Sequence, residues 1–387
     1  MDNILEVRDL VVRFYTYEGI VKAIEGVNLQ LREGEVLGII GETGSGKSVT
    51  ALSILSLVPP PGRVEKGSVL FRGRDGKFIP ILKLGRKELQ KIRGREISII
   101  FQEPRAALNP LYTIGDQVGE VFLVHRLKEL CKDVLDEINT ELEKAQGFKA
   151  KVLSFERSLY ERMLRNPESK VIKLVSKVPI VRRFRNRLKK AVRRHVIELL
   201  RLMEMPDPER IVDMYPHELS GGMQQRVVIA MALACNPKIL IADEPTTSLD
   251  VTVQAQILDL IRRLKGKLRS SILYITHDMG VIAELCDRVA VMYAGYICEV
   301  APVREVFREP LHPYTRGLLD SIPMPGKELK PIRGTVPNLV NPPSGCRFHP
   351  RCPYAMDICS KSVPKLREVK KDHLVACHLY DKDGERS

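Results

Sequence analysis

The string Gly41-Glu42-Thr43-Gly44-Ser45-Gly46-Lys47-Ser48 fits the phosphate-loop pattern G-x-x-x-x-G-K-[ST]. Its glycines let the backbone bend so that successive N–H groups turn toward phosphate oxygens, and a helix beginning there adds its positive end. Lys47 would reach the β- and γ-phosphates, and the Ser48 hydroxyl would ligate Mg²⁺. The apolar run Val36 to Ile40 precedes the loop and a helical pattern follows it, the context such a loop requires. Further along, the apolar Ile239-Leu240-Ile241-Ala242 runs into Asp243-Glu244. An acid at this strand end holds Mg²⁺ in phosphate-loop enzymes, directly or through water. The next carboxylate, Glu244, is placed to polarise a water for in-line attack on the γ-phosphate. These residue types together specify binding and hydrolysis of a nucleoside triphosphate.

Between the two lies Leu219-Ser220-Gly221-Gly222-Met223-Gln224-Gln225-Arg226. Physically it is a second anion site: a hydroxyl, two glycines with open N–H groups and a helix start. The string resembles the signature motif of the ABC ATPases, and the resemblance covers about residues 4–300. It implies that Ser220, Gly221, Gly222 and Gln224 act on the ATP bound by a second ATPase subunit, so that hydrolysis needs a dimer. It further implies that Gln102 is the Q-loop residue sensing Mg²⁺ and the γ-phosphate, and that Ser248-Leu249-Asp250 is the D-loop. By the same resemblance His277 is the switch histidine, Phe14 stacks on adenine, and Gly41 through Ser48 with Val49 line the ATP site. Mg²⁺ would be held by Ser48, Gln102 and Asp243, and Glu244, His277 and Gln102 would serve catalysis.

After residue 300 come Pro310-Leu311-His312-Pro313-Tyr314-Thr315 and Gly345-Cys346-Arg347-Phe348-His349-Pro350-Arg351-Cys352-Pro353. Both strings resemble the C-terminal extension of the oligopeptide and dipeptide importer ATPases, and Leu108-Asn109-Pro110 agrees. Cys346, Cys352, Cys359 and Cys377 contain no C-x-x-C pair, so spacing alone announces neither a zinc ribbon nor a ferredoxin site. The resemblance implies that these four hold a [4Fe-4S] cluster, with Zn²⁺ as the alternative and unliganded cysteines after both. Cys131, Cys235, Cys286 and Cys298 are scattered among apolar residues and read as core. The interval between Gln102 and Ser220 is longer than is usual in this branch, with the surplus within about Leu127 to Lys190.

The elements that must position these residues follow from patterning. Val27, Leu29 and Leu31 alternate with polar residues as a half-buried strand does, and Val69 to Ile81 reads as a hairpin. The phosphate loop leads into a helix from Ser48 to Val58, ended by Pro59-Pro60-Pro61. Leu123, Leu127, Leu130, Val134, Ile138 and Leu142 mark one face of a single long amphipathic helix, and further helices are expected around Phe155 to Leu164 and Val181 to Met203. From Pro237, strands and helices alternate, the pattern of a parallel sheet covered on both sides. The expected architecture is α/β: a RecA-like phosphate-loop core with an antiparallel β-subdomain, an enlarged helical subdomain over about 103–236 with an insertion at about 127–190, and a small cysteine-bearing extension over 301–387.

Composition bounds the partners. A chain of 387 residues, 44% hydrophobic and 28% charged, is ordinary for a globular protein of two domains or one large domain with an appendage. It has no apolar stretch of spanning length and no leader pattern at its start, so a cytosolic protein is expected, peripheral on the cytoplasmic membrane face. The formal +14 charge suits a polyanion or a basic surface. Eleven Lys or Arg and no acid between Ser169 and His195 read either as a solvated face or as contact with anionic lipid. One phosphate loop, one signature string and a transporter-type extension favour transport over a soluble ABC ATPase on nucleic acid or ribosome, and no nucleic-acid partner is expected. The expected machine joins this chain to a second, related ATPase subunit and two transmembrane permease subunits, with an extracytoplasmic solute-binding protein delivering peptide, or alternatively oligosaccharide or nickel.

Overall fold

Alternation of apolar and polar residues near the N-terminus builds a sheet with one wet face. In the computed structural model, which describes residues 2–166, 182–247, 249–268, 270–323 and 331–381, Val27, Leu29 and Leu31 are buried while Asn28 and Gln30 are exposed. Strands β1 (Asn3–Thr16), β2 (Gly19–Arg32), β4 (Gly62–Arg72) and β5 (Phe78–Pro80) pair antiparallel in the order β2-β1-β4-β5, and β4–β5 is the hairpin expected over Val69 to Ile81.

Continuous apolar runs behave differently. Strands β3 (Val36–Ile40), β6 (Ile97–Ile100), β7 (Ile239–Asp243), β8 (Ser271–Thr276) and β9 (Arg288–Tyr293) lie parallel in the order β9-β3-β8-β7-β6. Every residue of β3, β7, β8 and β9 is buried, as a sheet covered on both faces requires. Beyond β9 the sheet continues antiparallel through β10 (Tyr296–Pro302), β12 (His373–Val375) and β11 (Arg367–Lys370). The residues after 300 therefore add strands to the sheet whose β3 leads into the loop 41–48.

The chain divides into two compact units, Met1–Gln102 with Lys238–Ser387, and Glu103–Pro237. In the first, one apolar cluster joins both sheets. It includes Leu5 and Leu10 of β1, Leu37 and Ile39 of β3, Ile241 of β7, Ile275 of β8, and Ile54 of the helix Lys47–Ile54. Each such side chain contributes about 1.5–3 kcal/mol when buried, so β3 is pinned between helix and neighbouring strands. The helix stops before the expected Val58 because Ser56 adopts a left-handed conformation, φ 52°.

A buried polar knot ties the later residues in. Glu299 accepts hydrogen bonds from the Leu311 and His312 N–H groups at 2.8 and 2.9 Å and contacts His373 Nε2 at 2.7 Å, all fully enclosed. Burial works to raise the Glu299 pKa, but these hydrogen bonds outweigh it and hold the carboxyl below its usual value.

The second unit is helical. The stripe from Leu123 to Leu142 forms two helices rather than one, Ile114–His125 and Leu127–Glu143. The chain leaves helical geometry at Arg126, whose guanidinium donates to the Ala234 carbonyl at 3.0 Å and pairs with Glu129. Leu130, Val134 and Ile138 are buried, whereas Leu123 is exposed. Helices Phe148–Arg165 and Arg182–Leu202 pack beside them. The first part of the basic stretch, 169–181, lies outside the described residues. Of the remainder, Arg187 forks onto Glu141 at 2.8 and 2.9 Å and reaches Glu156 at 2.9 Å, Arg193 pairs with Asp213, and Arg194 pairs with Glu137. These cations answer acids of the same unit. Among the described residues no helix is long and apolar enough to cross a membrane.

Candidate functional site

The carboxyl ends of β3 and β7 meet the loop 41–48. At Gly41 a Cβ would stand 2.0 Å from the Met292 carbonyl oxygen, so no side chain fits. Gly46 caps the following helix at φ 103°, where a Cβ would meet the Ala23 carbonyl at 2.8 Å. The loop encloses Lys47, whose Nζ donates to the Gly41 and Glu42 carbonyls at 2.7 and 3.1 Å. Burial pulls the ammonium pKa down, while Glu244, Asp243 and Glu42 oppose that shift. A buried cation held only by carbonyl oxygens is matched to an anion.

Ser48 Oγ donates to Asp243 Oδ1 at 3.1 Å. Asp243 ends β7 buried, and burial, with Glu244 adding to it, raises its pKa despite the Ser48 hydrogen bond and Lys47. A hydroxyl beside a buried carboxylate short of positive partners is a hard-oxygen donor set that suits Mg²⁺, which takes one or two carboxylates and completes its shell with phosphate and water.

The next residue turns the other way. Glu244 has φ 46°, a left-handed conformation that is costly for a side-chain-bearing residue, and its N–H donates to Ile275 O at 2.9 Å. Its Oε2 accepts from Gln102 Nε2 at 3.2 Å and Thr247 Oγ1 at 2.9 Å and lies 3.3 Å from His277 Nδ1. Gln102 and His277, far apart in sequence, thus converge on one carboxylate oxygen. Thr247 was missed by the sequence reading; its only signal is its place three residues after the acid.

These groups open onto a cleft of about 530 Å³. Its walls include Thr43 to Val49, Gln102, Glu244, Thr247 and His277, with Phe14, Val21, Ala23 and Leu339 forming an apolar side. Of the nearby aromatics Phe14 lines the cleft, while Tyr15 bonds to Glu65 and Tyr17 is fully exposed. Leu339 enters from the C-terminal region without any sequence signal.

Ser248 lies outside the described residues. Leu249 donates its N–H to Thr246 O at 3.1 Å, and Asp250 caps the helix Val251–Leu268 by accepting the Val253 N–H at 2.9 Å. In the helical unit, Ser220 caps Gly221–Leu233 through the Met223 N–H at 3.4 Å, leaving Ser220 exposed and Gly221 and Gly222 half-buried. Gln224 instead turns inward, its Nε2 donating to Pro216 O at 2.7 Å and Leu219 O at 3.2 Å.

With this geometry in place the family follows from comparison. Residues 24–247 match the ABC transporter family, and residues 298–359 match the oligopeptide/dipeptide transporter C-terminal region. The chain belongs to the ABC transporter family. Among curated relatives of this ABC ATPase is the dipeptide transport ATP-binding protein DppD of Bacillus subtilis, 41% identical, covering 100% of this chain and 98% of that protein. The oligopeptide transport ATP-binding protein OppD of the same organism is 43% identical, covering 99% and 90%. A dimeric solved structure of MJ0796, a bacterial ABC transporter cassette, aligns with TM-score 0.53 at 26% identity over 78% of this chain and 99% of that one.

One expectation fails. Cys346, Cys352, Cys359 and Cys377 are free thiols, and among the described residues no group of three or more His, Cys, Asp or Glu side chains is placed to hold a metal ion. Burial pushes the Cys346 thiol up to about 11 and Cys377 up to about 12, and raises Cys352 as well. Cys346 and Cys352 pack against the apolar cluster of Tyr293, Cys298, Tyr314 and Phe348, and buried Cys359 accepts the Met356 N–H at 3.5 Å. The donor set fits neither a [4Fe-4S] cluster nor Zn²⁺, and Cys346 and Cys352 act as small apolar side chains.

Proposed function

We propose that this ABC ATPase binds and hydrolyses ATP to power peptide import through a membrane transporter to which it attaches peripherally, on the cytoplasmic face. The observation that carries the hydrolytic reading is the convergence of Gln102, Thr247 and His277 on Glu244 beside the Lys47–Ser48–Asp243 cluster. The peptide reading is supported by end-to-end likeness to DppD and OppD and by the match of residues 298–359.

When ATP enters, Lys47 exchanges its two carbonyl partners for the β- and γ-phosphates, and the loop N–H groups surround them. Phe14 offers its ring to the base, with Val49 at the loop's end of the cleft. Ser48, Asp243 and Gln102 would hold Mg²⁺, which when bound supplies neutralisation of the charge that develops on the phosphate oxygens. Glu244 takes a proton from the attacking water, while Gln102 and His277 orient that water and the γ-phosphate. Ser220, Gly221 and Gly222, in a loop that Gln224 holds in shape from inside, would act on the ATP of a second, related ATPase subunit. Ser248-Leu249-Asp250 would lie along that dimer contact. Closure moves two transmembrane permease subunits, and an extracytoplasmic binding protein delivers the solute.

The test is ATP-dependent uptake into vesicles carrying this chain with two transmembrane permease subunits and a solute-binding protein, offered peptides, oligosaccharides and nickel. Uptake of peptides alone is expected. Uptake of sugar or nickel without peptide would overturn the cargo, and loss of ATP dependence would overturn the coupling.

A further inference from the structure

The two strings of the C-terminal region that resemble importer sequences end on the same residue of the phosphate loop. Tyr314, in the first, accepts the Glu42 N–H on its hydroxyl oxygen at 2.8 Å. Arg351, in the second, donates Nη1 and Nη2 to Glu42 Oε2 and Oε1 at 2.7 and 3.1 Å. The fork is braced from behind, where Nη1 also donates to the Tyr293 hydroxyl at 3.2 Å and Nε donates to the Arg333 carbonyl at 2.8 Å. The guanidinium lies against the Tyr293 and Phe348 rings, and Tyr314, fully buried, packs on both of those rings. The Arg351 side chain is only 5% exposed.

Glu42 is an awkward residue where it stands. A carboxylate at the second position of a loop that gathers a polyanion repels the ligand unless it is neutralised. Its carbonyl also holds the Lys47 ammonium at 3.1 Å and the Ser45 N–H at 3.1 Å, so a shift of Glu42 is felt by both. A bidentate guanidinium cancels the charge and fixes the carboxylate plane at once, which an ammonium would not do.

We propose that the C-terminal region is part of the nucleotide site: Arg351 is a positioning residue that neutralises Glu42, and with Tyr314 it fixes the start of the phosphate loop. This rests on the reading of residues 41–48 as the ATP loop. It makes the C-terminal region a determinant of ATP affinity as well as a packing element.

The experiment measures MgATP dissociation constants on the full chain by equilibrium binding, with thermal melts beside them. Arg351→Met is expected to raise Kd by about tenfold, because it leaves the Glu42 carboxylate facing the phosphates. Glu42→Gln is expected to bind MgATP more tightly than the parent, because it leaves the Arg351 cation unopposed beside the phosphates, and the double variant to return within about threefold of the parent. Opposite behaviour of the two single variants marks charge compensation, since a merely structural pair would weaken binding from either side. Parent-like binding by Arg351→Met overturns the inference, as does a double variant as weak as that single one. Should Arg351→Met not fold, Glu42→Gln decides alone, and an affinity no higher than the parent's there is the overturning result. A parent chain that does not bind MgATP brings down the nucleotide reading itself, and this inference with it.

Discussion

Replacing Glu244 by Gln separates binding from turnover. The side chain meets Gln102, Thr247 and His277, and none of these bonds reaches the loop 41–48, which we propose receives the phosphates. Among the acids acting on Lys47, Glu244 is the strongest, so neutralising it removes a repulsive charge from the approach of ATP. ATP affinity should therefore hold or rise. What is lost is a proton acceptor. A positioned general base contributes about 10²- to 10⁴-fold, equivalent to about 3–5 kcal/mol of barrier. Phosphate release by the assembled transporter should fall by at least about a hundredfold, while equilibrium binding of MgATP persists and size-exclusion in MgATP shows stabilised ATPase dimers. Turnover near the parent rate would refute the assignment of Glu244 as base. Loss of ATP binding would show instead that the residue holds the cleft together.

Arg187→Met should destabilise the helical unit by about 3 kcal/mol in chemical denaturation, because it removes a guanidinium that forks onto Glu141 and bonds the buried Glu156 carboxylate; a change below about 0.5 kcal/mol would mean that the network is only a surface feature. Glu299→Gln should cost about 3 kcal/mol at neutral pH and flatten the acid limb of stability. Hydrogen bonds keep Glu299 below its usual 4.5, so the parent's extra stability is complete above that value and is lost as pH falls through the lower folded pKa. Denaturation from neutral pH down to about pH 3 should show the parent falling toward the variant, and parallel curves would contradict this.

What could be read from the sequence was contiguous. The loop 41–48 and the strand end at Asp243-Glu244 work through local backbone shape, so their order along the chain carries their chemistry. The buried runs of β3, β7 and β8 were legible for the same reason, since a strand covered on both faces has no polar side to disguise it. Features decided by distant partners were not legible. Arg126 breaks a helix through a carbonyl 108 residues away, and Arg351 reaches Glu42 across 309. Leu339 enters the cleft from a Pro-rich stretch with no periodicity to place it. The cysteines show the limit of resemblance. Their spacing said nothing of metal, the resemblance supplied a cluster, and among the described residues no group is placed to hold a metal, with Cys346 and Cys352 packed against Tyr293, Tyr314 and Phe348.

Adjacent acids at the end of β7 also show how one backbone turn divides two tasks. Asp243 keeps strand geometry, stays buried and meets Ser48 on the side of the loop 41–48. A strand would send its neighbour to the opposite face of the sheet, into the apolar layer. Glu244 escapes because its φ of 46° swings the chain out of the ladder, at an expense of order 1–3 kcal/mol for a residue other than glycine. The hydrogen bond to Ile275 O anchors the turn from the sheet, and Thr247, Gln102 and His277 hold the carboxylate at its far end. Glycine at 244 would relieve the backbone and lose the acid, whereas Gln keeps the turn and loses only the proton acceptor. The strain is therefore tied to the carboxylate, which is why the Gln variant, and not Gly or Ala, isolates its chemistry.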